Sequence, residues 1–252
     1  MSQLNEKVAI VTGAASGIGR AIATAFAREG AALMLVDKSA AEVATVAQQL
    51  SVGGAEVFHC VADVSKPEDV ANMMKRAVQR FPRIDVFVSA AGVSGQRVNI
   101  LDMELVEWEQ MLRANLTSLF ICGQAAARHM RKNAGGSIIN ITSQLSEVST
   151  RDYAHYSTAK AGAAMLTKGM ALDLADKGIR VNAIGPGPTD TGMTRYLAPE
   201  NKDKREKIKT RVPMGRWAEP DEIAGAAVYL ASDAASFVTG ATIMVDGGYL
   251  IV

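Results

Sequence analysis

The sequence predicts an α/β fold, a parallel sheet with helices on both of its faces. Three observations predict it. Short β-branched runs alternate with longer helix-period segments from end to end; the runs are apolar at nearly every position; and the polar, chemistry-bearing residues gather just after them. Strands that are apolar on both sides must be covered on both sides, which is the arrangement of a parallel sheet wound by helices.

The first strand is "KVAIV", and a helix follows from about Gly17 to Glu29, with Gly30 as its stop. "AALMLV", the helix "AAEVATVAQQL" and "EVFHCVA" come next. "PEDVANMMKRAVQRF" carries Pro67 in its first turn, where a missing N–H costs nothing, and leads into "IDVFVSA". The period then predicts one continuous helix from about Trp108 to Met130, the strand "GSIINIT", a helix around Tyr156 to Ala175 and the strand "IRVNAI". "PDEIAGAAVYLAS" and the strand "GATIMVDGG" complete the alternation. Neither a linker nor a repeat interrupts it, so residues 1–252 are expected to form one domain.

Bulk properties exclude several classes. The 252 residues are 48% hydrophobic, enough for a sizeable core, and the formal net charge of +1 attracts neither nucleic acid nor an anionic membrane. The N-terminus lacks the pattern of a signal peptide, and no apolar run is long enough to span a bilayer. Cys60 and Cys122 are the only cysteines, far apart, which suits a reducing cytoplasm. The three histidines, His59, His129 and His155, form no cluster with carboxylates or cysteines, so no metal is expected.

In a wound parallel sheet the ligand crevice lies beyond the carboxyl ends of the strands. "TGAASGIG" follows the first strand and opens the first helix. Gly13, Gly17 and Gly19 allow a tight turn and close approach to a pyrophosphate at a helix N-terminus, although the spacing is G-x-x-x-G-x-G rather than G-x-G-x-x-G. Asp37 closes the second strand, where a carboxylate accepts hydrogen bonds from an adenosine ribose and repels a 2′-phosphate. That favours NAD over NADP, while Lys38 beside it pulls the other way. Asp63, after the third strand, is placed either to bond an adenine amino group or to start the helix ahead of Pro67.

These segments, with "SAAG", Asn115, Ser143, "YSTAK" and "GPGPTDT", stand in the order and at the spacings of the short-chain dehydrogenase/reductase family, which the chain resembles over essentially its whole length. The resemblance implies a Rossmann-type sheet of seven strands, a nicotinamide cofactor and hydride transfer between an alcohol and a carbonyl. It implies cofactor contacts at Gly13, Ser16, Gly17, Ile18 and Gly19; at Asp37, Asp63 and Val64; at Ala91 and Gly92; and at Pro186, Gly187, Thr189 and Thr191. It makes Tyr156 the acid/base and Lys160 its partner and a ribose ligand. Ser143 becomes the donor to the substrate oxygen, and Asn115 the holder of a water that links Lys160 to solvent. "SAAG" departs from the family in having Ser89 where Asn is usual, which puts the steadying of the central sheet in doubt.

The residue chemistry agrees. A phenol titrates near ~10 and is a poor base at neutral pH. A helix brings Tyr156 and Lys160 to one face. An ammonium roughly 5 Å away, at an effective dielectric of about 20, stabilises the phenolate by about 3 kcal/mol, some two pKa units. The phenol then comes within reach of working pH.

Substrate contacts are expected from Ser94, Ser143, Gln144, Tyr156 and Met193, with Gln96, Leu145, His155 and Tyr196 as further candidates in a segment set that includes a loop near 189–215. The expected substrate is a small secondary alcohol or ketone, and the hydrogen-bonding groups of Gln144, Ser94 and His155 suit a polyol or sugar better than a bare hydrocarbon. "KDKREKIKTR", Lys202 to Arg211, reads as a solvated helix face or as a lid for a carboxylate, phosphate or acyl-carrier protein. Two alternatives stand beside the dehydrogenase reading: an NADPH-dependent 3-oxoacyl-(acyl-carrier-protein) reductase, and an idle dinucleotide-binding protein. The helix after Tyr156 is apolar or small around most of its circumference and the chain ends in "YLIV", so a subunit interface is expected; the family's usual homotetramer fits.

Overall fold

The computed structural model describes residues 2–133, 135–195 and 202–252. Its seven strands are β1 Val8–Thr12, β2 Ala32–Asp37, β3 Val57–Val61, β4 Val86–Ser89, β5 Gly136–Ile141, β6 Ile179–Pro186 and β7 Thr242–Val245. They form one sheet in the order β3-β2-β1-β4-β5-β6-β7, with every pair parallel. The α/β Rossmann-type expectation holds.

Side-chain alternation along the strands explains the two layers of helix. Ala9 and Val11 of β1 face a core with Ile22 and Phe26 of α1 (Gly17–Arg28), Val43 and Val46 of α2 (Ala40–Val52) and a further helix, Pro220–Ala231. Val8 and Ile10 face the opposite core, built with Met73 and Ala77 of α3 (Pro67–Arg80) and helices from the middle of the chain. β1 is buried at all five positions, whereas β7, at the sheet edge, is only half-buried throughout. The uniform apolarity of the inner strands therefore follows from position in the sheet.

One element differs from expectation. The helix predicted from Trp108 to Met130 begins earlier, at α4 (Leu105–Leu112), and widens into a π-turn over Arg113–Thr117 before continuing as α5 (Ser118–Met130). Such turns insert one extra residue into an α-helix and are frequent at functional sites. Here the turn carries Asn115. The remaining helices are α6 (Ala154–Leu174), α7 (Gly192–Arg195), α8 (Lys202–Lys209) and α9 (Pro220–Ala231).

The strand order reverses between β1 and β4, where connections leave in opposite directions and a crevice opens at the carboxyl ends. A cleft of about 490 Å³ occupies that position.

Candidate active site

The end of β1 and the start of α1 make one wall of the cleft. Gly13 has φ +67°, and a Cβ there would lie 2.8 Å from the Ala91 backbone; a Cβ on Gly19 would collide with the Gly13 carbonyl oxygen. Backbone thus packs on backbone at the two positions where the sequence supplies no side chain. Thr12 fixes the adjoining segment: its hydroxyl accepts from Ala90 N (3.2 Å) and Ala91 N (3.3 Å) and donates to Val88 O. Asp37 accepts from Ala15 N and Ser39 N, both at 3.1 Å, so the carboxylate that faces the cleft also holds the glycine loop against β2. Asp63 accepts from the backbone and hydroxyl of Ser65, which hold its carboxyl below the usual range. It lines the cleft as well, and its carboxyl is held by Ser65 ahead of α3 rather than by the first turn of that helix.

At the other end stand Ser143, after β5, and Tyr156 and Lys160 on α6, all lining the same cleft. The Lys160 ammonium is buried, donates to Ile141 O at 3.0 Å and lies 5.7 Å from the Tyr156 ring centre. Burial pushes its pKa down from 10.5 to about 8. At neutral pH it remains mostly cationic. Ser143 donates to Gln144 Oε1 (3.1 Å) and accepts from Leu145 N (3.1 Å), so its hydroxyl hydrogen must turn to reach another acceptor.

Asn115 is fully buried, and its amide grips Val93 on both sides. Oδ1 accepts from Val93 N at 3.2 Å, while Nδ2 donates to Val93 O at 3.0 Å and to Met111 O at 3.3 Å. The grip fastens the segment after β4 to the π-turn. A Cβ on Gly92 would sit 2.7 Å from Asn115 Oδ1 and 3.7 Å from Lys160 Nζ, so glycine keeps the space between these two groups open.

Every cofactor and catalytic candidate named from the sequence reaches this one cleft, as do Ser94, Gln144, Leu145 and Met193. Two further candidates do not line it. His155 is buried (2% exposed), turned edge-on to Tyr153 at 5.7 Å, and its carboxyl-side neighbour Tyr156 takes the cleft position instead. Burial lowers its pKa, opposed by a hydrogen bond with the Gln96 backbone. Gln96 is exposed outside the cleft, and Tyr196 lies outside the described residues. The run Lys202 to Arg211 is not wholly a solvated face: Arg205 stacks on Trp217 at 4.4 Å and pairs with Asp190 at 3.4 Å, and Ile208 lines the cleft.

Sequence reading missed Arg97, Tyr153, Ile208 and Trp217, which also line the cleft. Tyr153 was within reach, since it stands at the start of the helix three residues ahead of Tyr156, and the two rings stack at 4.8 Å. The others come together only through folding. The expectation about Ser89 has a structural counterpart: its hydroxyl is buried without a hydrogen-bond partner among the described residues, as is Oδ1 of Asn140, its lateral neighbour on β5.

A family model described as enoyl-(acyl carrier protein) reductase matches residues 13–250. A cis-4-hydroxycyclohexanecarboxylate dehydrogenase from Sinomonas cyclohexanicum is 42% identical over 248 residues, 98% of either chain. A 3-oxoacyl-[acyl-carrier-protein] reductase from Synechocystis is 38% identical over 254 residues, 100% of both chains. Among solved structures, a candidate gluconate dehydrogenase from Agrobacterium tumefaciens superposes with a TM-score of 0.96 at 35% identity, covering 99% of this chain and 98% of that one. Likeness of this extent, in sequence and in fold and over the whole length, makes the chain a member of the short-chain dehydrogenase/reductase family of NAD(P)-binding oxidoreductases.

Proposed function

We propose that the protein is an NAD-dependent dehydrogenase that interconverts a secondary alcohol and its ketone on a small molecule, with Tyr156 as the acid/base. The observation that carries this reading is Tyr156 on the cleft with a buried cation, Lys160, 5.7 Å from its ring. The side-chain-free approach of the Gly13 and Gly19 backbone, followed by Asp37 at the end of β2, fits a dinucleotide laid across the switch point.

The cofactor supplies the hydride acceptor in oxidation and the hydride donor in reduction. This chain's residues handle the proton and the oxygen. Lys160 stabilises the Tyr156 phenolate, which takes the carbinol proton in oxidation and returns it in reduction. Ser143, releasing Gln144, donates to the substrate oxygen as charge changes there. Asn115, by its place in the family pattern, takes the further role of holding a water that links Lys160 to solvent, beside its own bonds to Val93. Tyr156→Phe should reduce turnover to background while cofactor affinity, followed by fluorescence titration, stays within about threefold. Near-native turnover in this variant would refute the assignment.

Asp37 supports NAD, because a 2′-phosphate would meet its charge, although Lys38 also lines the cleft. Parallel assays should give kcat/KM with NAD⁺ at least about tenfold above NADP⁺; equal values would remove Asp37 as the determinant. The second reading, an acyl-carrier-protein reductase using NADPH, draws on the Synechocystis relative and the family description. Turnover of an acetoacetyl thioester with NADPH, above that of any simple ketone with NADH, would favour it. We further propose a single domain with the segment near 189–215 as its substrate loop, a cytoplasmic setting, and a homotetramer. Exposed Met165 and Leu172 on α6, and Ile251 and Val252 at the chain end, support the last. Among the described residues no helix is long and apolar enough to cross a membrane.

A further inference from the structure

We infer that the substrate is an anion, a hydroxy or keto acid, and that Arg97 recognises its carboxylate. This rests on the dehydrogenase reading and narrows its substrate.

Arg97 lines the cleft, and its guanidinium lies 4.8 Å from the Tyr153 ring centre. Tyr153 in turn stacks on Tyr156 at 4.8 Å with planes 21° apart. The cation therefore contacts the ring that stacks on Tyr156, and all three side chains line the same cleft. Its support is built from two chain segments. Nη1 donates to Arg151 O at 3.0 Å, Val98 N donates to Asp152 O at 2.9 Å, and Asn99 Nδ2 donates to Asp152 Oδ1 at 3.1 Å. Asp152 takes φ +61°, a conformation that non-glycine residues adopt at a cost, in the turn that delivers Tyr153.

Arg97 lines the cleft and is solvent-exposed. It makes no ion pair among the described residues, in contrast to Arg205, which meets Asp190. Among the described residues, the acidic ones that line the cleft are Asp37 and Asp63, at the end of β2 and after β3 and on the other side of the sheet from Tyr156. At the Tyr156 end the charged residues that line the cleft are Arg97 and Lys160, both positive, while the Asp152 carboxylate beside Arg97 accepts from Asn99 outside the cleft. A guanidinium keeps its charge at any working pH and presents a planar fork of N–H donors matched to a carboxylate. The same cleft is lined by the apolar Leu145, Met193, Ile208 and Trp217 and by the polar Ser94 and Gln144, so the body between carboxylate and hydroxyl meets both apolar surface and hydrogen-bonding groups. The carboxylate is unchanged in the reaction. The carbinol C–H and O–H bonds break as the C=O bond forms, with the proton going to Tyr156 and the hydride to the cofactor.

The test compares 4-hydroxycyclohexanecarboxylate and 3-hydroxybutanoate with their carboxamides, using NAD⁺ and the wild-type, Arg97→Gln and Arg97→Lys proteins. Binding of cyclohexanecarboxylate to the NADH-loaded proteins is measured by calorimetry in parallel. For at least one acid the wild type should prefer carboxylate over amide. Arg97→Gln should raise KM for that acid about 10- to 100-fold with kcat nearly unchanged, leave the amide untouched and abolish cyclohexanecarboxylate binding; Arg97→Lys should restore part of each. Equal handling of acid and amide by the wild type overturns the inference. So does an equal loss on both in Arg97→Gln, which would mean that Arg97 only props Tyr153. Absence of turnover with all four compounds counts against the dehydrogenase reading, while unchanged cyclohexanecarboxylate binding in Arg97→Gln overturns the role of Arg97 whatever the turnover.

Discussion

Lys160 is a residue whose function opposes its stability. An ammonium with one carbonyl partner inside the protein costs free energy, which is why its pKa falls to about 8 from 10.5. Between those two values the unfolded chain binds a proton that the folded chain does not, so stability rises with pH across that window. The cost is full below about 8 and fades toward 10.5. Lys160→Met should therefore stabilise the cofactor-free protein by ~1–3 kcal/mol at pH 7 while removing activity. In urea unfolding its advantage over the wild type should shrink at pH 10. Equal stability at pH 7 would show that the lysine is not penalised. The Tyr156–Lys160 pair was legible from sequence because a four-residue helical spacing fixes who shares a face.

At the scale of elements, the π-turn over Arg113–Thr117 is where local reading gave out. Periodicity registers a helix through Trp108 to Met130, and it cannot register that an amide in its middle bonds a backbone segment 22 residues upstream. Asn115→Ala would leave Val93 N–H and C=O without that partner. We expect a loss of ~1–3 kcal/mol in denaturant unfolding and a fall in kcat, with cofactor affinity less affected. A variant of wild-type stability and turnover would reduce Asn115 to a bystander. Ser89 makes the complementary point. Its departure from the family pattern was visible in the sequence, but that the hydroxyl ends beside Asn140 without a partner among the described residues depends on the register of β4 on β5.

For the whole molecule, the open question is what covers α6. One side packs on the sheet through Ala163, Thr167 and Ala171, while Met165 (64% exposed) and Leu172 (83%) point outward. If α6 pairs with a second copy, light scattering should give an oligomer for the wild type and a smaller species for Leu172→Glu. A monomeric wild type would end that proposal.

The sequence by itself determined the strands, their parallel sense and the residues at their carboxyl ends, because burial on both faces writes a continuous apolar run and each run must stop at polar chemistry. Only the tertiary structure decided that Arg97, Ile208 and Trp217 line the same cleft as Tyr156, and that Asn115 holds Val93. Those contacts join segments distant along the chain, and no local spacing encodes which side chains meet when such segments pack.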